Sequence, residues 1–373
     1  MTQAGTLGTS PAIAMKSGGY YSARTKGAKD VIDNAAPLVL QALEAMDIAD
    51  DLDRCFAIAD YGSADAGTSL ELMGTTVAAV RARAPRRPIC LTYTDLPGND
   101  FSQLFRNTQG TGDAGDFLVG HDNLYVFASG TSFYRQIFPN NSIHLGFSAT
   151  ALHWSSTTAG RISNHVHAVG ARGPERAAFA EVGMRDWETI LLHRAAELTP
   201  GGHLVLVNFC IDEEGRYLGN TGGVNMFDTF NELWAELRDE GVITAEEYGD
   251  TNFPQFYKTV EEFCAPLNDK DGPVYAAGLR LEHVETRVVP CPYKAEFLRH
   301  GDAGAFAPAL VGTLRSWSET VFTSGLDPAR PRAQRREIID RFYRNYEERV
   351  RADPDGHAMD YVHVYMIISE AKN

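Results

Sequence analysis

The chain has 373 residues, a formal net charge of −15 and an isoelectric point near 5.2. A surface this acidic repels phosphate backbones, which argues against nucleic acid as a partner. The sequence holds no stretch of about 18 apolar residues that would cross a membrane as a helix. Residues 1–14 are small and polar, without the basic start and apolar core of a secretory signal, and read as a flexible tail. The cysteines Cys55, Cys90, Cys210, Cys264 and Cys291 are odd in number and show no two-residue spacing. They read as reduced thiols in a cytoplasmic protein, Cys55 and Cys90 as small buried hydrophobes.

From 29 to 46, Val31, Ile32, Ala35, Leu38, Val39, Ala42, Leu43 and Met46 recur at helical spacing, and Pro37 is placed to kink or split that helix. A strand over 55–59 ends on Asp60, and the loop 61–67 leads into a helix over 68–83. A second strand, 89–93, ends on Asp95 and is followed by a helix carrying Phe101, Leu104 and Phe105 on one face. Strands at 124–127, 143–147 and 203–209 continue the alternation, and a long amphipathic stretch, 175–198, runs into the stop Thr199-Pro200-Gly201-Gly202. Residues 212–272 carry helical patterns without clear strands, a strand is predicted over 279–289, a helix carries Ile338, Ile339, Phe342 and Tyr346, and 361–368 closes the chain as a strand. Strands alternating with helices predict an α/β fold, a largely parallel sheet covered on both faces. The organisation read from this is a tail over 1–14, a sheet domain over 15–211 and 273–373, and an inserted helical cap over 212–272, reaching to about 325.

Two turns carry the chemistry. In Asp60-Tyr61-Gly62-Ser63-Ala64-Asp65-Ala66-Gly67-Thr68 a strand gives way to small residues that let the backbone approach a ligand. The turn lacks Gly-x-Gly-x-x-Gly and is not followed by Gly-Lys-Ser/Thr, so neither a dinucleotide nor a phosphate loop is indicated. An acid just before the glycine suits a nucleoside cofactor without phosphates. In Asp95-Leu96-Pro97-Gly98-Asn99-Asp100-Phe101, Asp95 sits where a carboxylate can take both hydroxyls of a ribose, and Asn99 or Asp100 suits a helix cap. Trp154 and His153 follow a core strand; taken singly, each reads as a packing residue, and together they offer an aromatic wall with a polar handle. His165 and His167 lack a third ligand at metal spacing and read as a solvated loop, so no metal is assigned.

These segments resemble the SABATH family of S-adenosylmethionine-dependent carboxyl methyltransferases. The resemblance runs from Met15-Lys16-Ser17-Gly18-Gly19-Tyr20-Tyr21-Ser22 through both turns, Ser132-Phe133-Tyr134 with Phe138-Pro139, Leu152-His153-Trp154, Asn252-Phe253-Pro254-Gln255-Phe256-Tyr257 and Glu337-Ile338-Ile339-Asp340-Arg341-Phe342 to the closing strand. It implies a Rossmann-like class I methyltransferase sheet, S-adenosylmethionine as cofactor with S-adenosylhomocysteine as product, a small carboxylic acid as substrate, and a homodimer. It further implies that Asp95 holds the ribose with Leu96 by the adenine, that Asp60 lies near the methionine end, that Gly62 contacts the cofactor, and that Ser132 and Phe133 flank the adenine. Tyr21 and Thr25 join the cofactor from the N-terminal segment. On the substrate side Trp154 matches the indole that donates to the carboxylate. His153 and Thr150 match the pocket wall, and Phe227 matches an aromatic over the acid's ring.

Two positions depart from the family pattern. Ala28 stands where a carboxylate-holding glutamine is usual, so Lys16 or Lys29 is left to substitute. Ala66 stands where a glycine is common, and Gly67 follows it. A carboxylate is ionised at neutral pH, so methyl transfer to it needs alignment rather than a base, and no catalytic dyad is indicated. The alternatives are an N- or other heteroatom methyltransferase of a small heterocycle, favoured by Ala28, and a catalytically decayed cofactor-binding partner subunit.

Overall fold

The structure, a computed structural model, describes residues 25–371. Pro37 does split the first helical run: α1 (Lys26–Asp33) stops before it, and α2 (Ala36–Ala45) takes the proline into its first turn, where a missing N–H costs nothing. Then follow β1 (Phe56–Tyr61), α3 (Leu70–Arg83), β2 (Ile89–Thr94), α4 (Phe101–Thr108), β3 (Leu124–Ser129) and β4 (Ile143–Ala149). The 25-residue α5 (Gly173–Glu197) ends at the anticipated stop and passes directly into β5 (Leu198–Ile211).

Among the described residues, eight strands form one sheet in the order β3-β2-β1-β4-β5-β8-β7, where β7 is Leu279–Val289 and β8 is Tyr361–Glu370; the two-residue β6 (Lys258–Thr259) pairs beside β5. β1 through β5 run parallel, and β8 is antiparallel to both neighbours. The order reverses at β1, between β2 and β4. In such sheets the ligand crevice opens beyond the carboxyl ends of the strands at that reversal. Alternation puts Val205, Val207 and Phe209 of β5 in one core and Leu204, Leu206 and Cys210 in the other, so both faces are covered.

The helices divide differently from the predicted boundaries. α6 (Met226–Asp239) and α7 (Ala245–Asp250) pack with α11 (Ala303–Gly325) and α12 (Arg332–Ala352), which come with α10 (Pro292–His300) from the segment between β7 and β8. Phe230 and Trp234 of α6 meet Phe322 of α11 and Phe342 of α12 with ring centroids 5.0–6.0 Å apart. The cap therefore draws on two insertions. α8 (Val260–Asn268) and α9 (Pro273–Ala276), within or just beyond the span read as cap, instead cover the sheet beside α5 and β7. The apolar pattern of α12 was legible, but which surface it met was not.

Candidate active site

The turn after β1 and the turn after β2 are tied together by backbone. Gly62 and Ser63 donate from their N–H groups to the Thr94 carbonyl at 2.8 and 3.1 Å. The Asp95 carboxylate accepts from Ala64 N at 2.7 Å and from Leu96 N at 2.7 Å, so it is pinned at the crevice rim. Asn99 Nδ2 donates to the Ala64 carbonyl at 2.6 Å, and Asp100 caps α4 by accepting from Gln103 N. Gly62 has φ +80°, and a Cβ there would fall inside the Ala151 methyl. Ala66 has φ +62° and Ala64 φ +49°, so the left-handed turn is made by alanines themselves, not by a glycine shifted to Gly67.

Asp60 is buried and accepts from Ser69 Oγ at 2.6 Å. Burial pushes its carboxyl up to about 7; Ser69 opposes that rise and the nearby Asp95 adds to it. Burial also raises Asp95, opposed by its two backbone donors. Two acids at the ends of adjacent strands, both raised by burial, form a site that gains from a cation. The residues fit a positively charged nucleoside with free ribose hydroxyls: carboxylates for the hydroxyls and the cationic end, and a glycine where backbone must come close.

Ser132 and Phe133 sit in the loop after β3 on the same rim. That loop is fastened from below by Arg194 and Glu197, both fully buried near the end of α5. Arg194 pairs with Glu197 at 2.7 and 2.8 Å and donates to the carbonyls of Phe133 at 3.0 Å and Arg135 at 2.9 Å. Glu197 also accepts from the Tyr61 hydroxyl at 2.9 Å and from Ile137 N and Phe138 N. The ion pair thus links β1 to the loop. In sequence it is an ordinary pair three residues apart, and nothing there signals its burial.

Beside the crevice lies a partly open pocket lined by Thr25, Ala28, Thr150, His153, Trp154, Phe209, Leu218, Gln255, Tyr257, Trp317, Met359 and Tyr361. Thr150, at the end of β4, holds φ +55°, a strained value for a β-branched residue, and its N–H is bound to the Val207 carbonyl at 2.9 Å. His153 is packed against Phe209 and Trp154, with centroids 4.8 and 5.3 Å away. Burial drives its pKa far below the ordinary histidine value, so it is neutral. Burial likewise keeps the Tyr257 phenol protonated.

Of the residues singled out in the sequence, Asp60, Gly62, Asp95, Leu96, Ser132 and Phe133 fall on the crevice rim, and Ala28, Thr150, His153 and Trp154 line the pocket. Thr25, implied as a cofactor contact, lines the pocket beside Ala28. Phe227 is fully buried one layer behind, stacked on His167 at 4.0 Å, and is not among the lining residues. His165 and His167 are buried rather than solvated; they support each other's loop, and His165 Nε2 lies 3.2 Å from Asp228. Lys29 is committed to Asp33 at 2.6 Å and Glu71 at 2.7 Å and is not in the pocket lining. Lys16 and Tyr21 lie outside the described residues. Gln255, Tyr257, Trp317 and Tyr361 were not singled out; Gln255 stood in the quoted Asn-Phe-Pro-Gln-Phe-Tyr segment, a lone amide among aromatics.

A sequence profile described as SAM dependent carboxyl methyltransferase matches residues 12–370. Loganic acid O-methyltransferase of Catharanthus roseus is 27% identical over 271 residues, covering 67% of this chain and 70% of that protein. Gibberellic acid methyltransferase 1 of Arabidopsis thaliana is 25% identical over 281 residues, covering 68% and 70%. A solved loganic acid methyltransferase with SAH superposes with a TM-score of 0.75 at 22% identity, covering 96% of this chain and 99% of that one, a likeness of fold. With the profile spanning nearly the whole chain, the protein belongs to the S-adenosylmethionine-dependent carboxyl methyltransferase family.

Proposed function

We propose that the chain forms the methyl ester of a small carboxylic acid whose body is flat or apolar. The observation that carries this reading is the chemistry of the pocket: aromatic walls, an indole N–H from Trp154, and a histidine held neutral by burial. A carboxylic acid, with an ordinary pKa of about 4, reaches such a pocket already ionised. A hydroxyl or a protonated amine would need a base to take its proton. The relatives named for loganic and gibberellic acids support an acid as substrate.

S-adenosylmethionine supplies the methyl group on its sulfonium. Asp95 would take the ribose hydroxyls, with Leu96, Ser132 and Phe133 around the adenine and Asp60 toward the cationic end. Gly62 would let the backbone pass beneath. Trp154 would donate to the acid, with Thr150 and His153 as walls that exclude water, so the residues contribute alignment in a dry site. A homodimer belongs to the same proposal; light scattering giving a mass near the 40.9 kDa of one chain would remove it.

The test is a panel of small acids and N-heterocycles incubated with the cofactor, with products identified by mass and by their lability to mild base. We expect a base-labile ester. Trp154→Phe, which keeps the wall and deletes the N–H, should lower kcat/KM for the best acid about tenfold or more, with cofactor affinity unchanged. A base-stable N-methyl product, insensitive to Trp154→Phe, would put the heteroatom reading first. Cofactor binding without any transfer would point to a decayed enzyme.

A further inference from the structure

We propose that Gln255 is the second donor to the substrate carboxylate, acting with Trp154 as a two-pronged clamp. The inference rests on the acid reading above and assigns a role to a residue that reading does not use. Trp154 and Gln255 face each other as an isolated antiparallel bridge, flanked by hydrogen bonds from Ser155 N to the Pro254 carbonyl at 2.8 Å and from Phe256 N to the His153 carbonyl at 3.2 Å. Residues directly opposite in such a pair project to the same side, with Cβ atoms about 5 Å apart. Both side chains line the pocket.

The surroundings fix which end of the amide faces the substrate. His167 Nδ1 accepts from Val169 N at 3.1 Å, so the proton of this neutral imidazole lies on Nε2, which donates to Gln255 Oε1 at 3.2 Å. The Tyr257 hydroxyl donates to the same oxygen at 3.3 Å. With its oxygen held by two donors, Gln255 presents Nε2 to the pocket, and no described residue accepts from that nitrogen. The Trp154 indole N–H is likewise without an acceptor among the described residues.

Two unengaged N–H donors from facing residues, in a pocket otherwise lined mainly by aromatic and apolar side chains with Thr25 and Thr150, match one carboxylate. Each takes a lone pair of the anion and leaves another for attack on the methyl group. A neutral ring nitrogen would leave at least one donor unanswered, at a cost in binding. Ala28 lines the same pocket and has no polar atom beyond its backbone, so the clamp is built from the 254–256 side.

The discriminating variant is Gln255→Glu, which keeps an acceptor for His167 and Tyr257 and replaces the donors with a like charge. With the acid that the wild type esterifies best from a panel of benzoate, salicylate, indole-3-acetate and loganic acid, KM at pH 8 should rise at least tenfold, with cofactor affinity and melting temperature close to wild type. The primary carboxamide of the same acid, tested as a competitive inhibitor, should bind more weakly than the acid in the wild type and more tightly in the variant. A residue that only supports His167 would not invert that preference. Gln255→Met, isosteric and without donors, is the second variant should Glu not fold there, and it too should raise KM tenfold. A folded, cofactor-binding variant of either kind that esterifies the acid within twofold of wild type overturns the clamp and leaves the acid reading standing. A wild type that esterifies no acid overturns both.

Discussion

The backbone of Gly62 runs against the methyl group of Ala151 so closely that no side chain fits between them. One residue opens the turn after β1, on the crevice rim; the other follows Thr150, in the pocket wall. Gly62→Ala would add a clash to a left-handed φ that costs an L-residue about 1–2 kcal/mol. We expect lower thermal stability and at least tenfold weaker cofactor binding. Adding Ala151→Gly should restore part of both by removing the opposing methyl. A double-mutant cycle without coupling would show that the contact is not what excludes the side chain.

With Asp60 toward the cationic end of the cofactor, as proposed, cofactor affinity is expected to depend on pH. Its carboxyl is raised to about 7 by burial, so near pH 6 most of the free protein carries a neutral Asp60 and near pH 8 most carries the anion. A cationic ligand binds the anion and must displace the proton at lower pH. Affinity for S-adenosylmethionine should fall about tenfold from pH 8 to pH 6, with proton release on binding at the lower pH. Calorimetry in buffers of different ionisation enthalpy measures both. Asp60→Asn should bind weakly at every pH and lose the dependence.

Asp95→Ala removes a carboxylate that also fastens Ala64 and Leu96. Cofactor binding should weaken by about 1.5–3 kcal/mol, the range for hydrogen bonds to a charged group. S-adenosylhomocysteine should be affected equally, because the ribose does not sense the sulfonium. Calorimetric affinities left unchanged would remove Asp95 from the ribose site.

Breaking the Arg194–Glu197 pair leaves a charge stranded in the interior. Glu197→Ala should destabilise the fold by about 3–5 kcal/mol, read by chemical denaturation. Lys29→Ala, at a largely exposed pair, should cost no more than about 1 kcal/mol. Since Arg194 also holds the carbonyls of Phe133 and Arg135, Arg194→Met should loosen the loop after β3 and weaken cofactor binding beyond its effect on stability.

The crevice rim was largely legible in the sequence because it is local. Asp60 and Asp95 lie at the ends of short apolar runs, and parallel strands buried on both faces produce such runs. Their positions fix the crevice once the strand order reverses at β1. The pocket was less legible because it joins residues far apart in the chain. Trp154 could be singled out beside its strand, whereas the bridge to Gln255 depends on how the 252–257 segment returns. The same limit applies to Phe227, whose helical stripe announces a buried face but not that His167 occupies it. It also applies to Lys29, whose charge is spent on Asp33 and Glu71.

The cap's origin in two insertions has a consequence for how this protein can change. The crevice rim is written in the first part of the chain, in turns whose backbones are tied to one another. The pocket takes Leu218, Gln255 and Tyr257 from the segment between β5 and β7, and Trp317 and Met359 from the segment between β7 and β8. Residues on these two segments can be exchanged without touching a turn of the crevice rim. On the proposed reading, new acids are expected to become accessible by diversifying the two insertions together, with the crevice rim carried along unaltered.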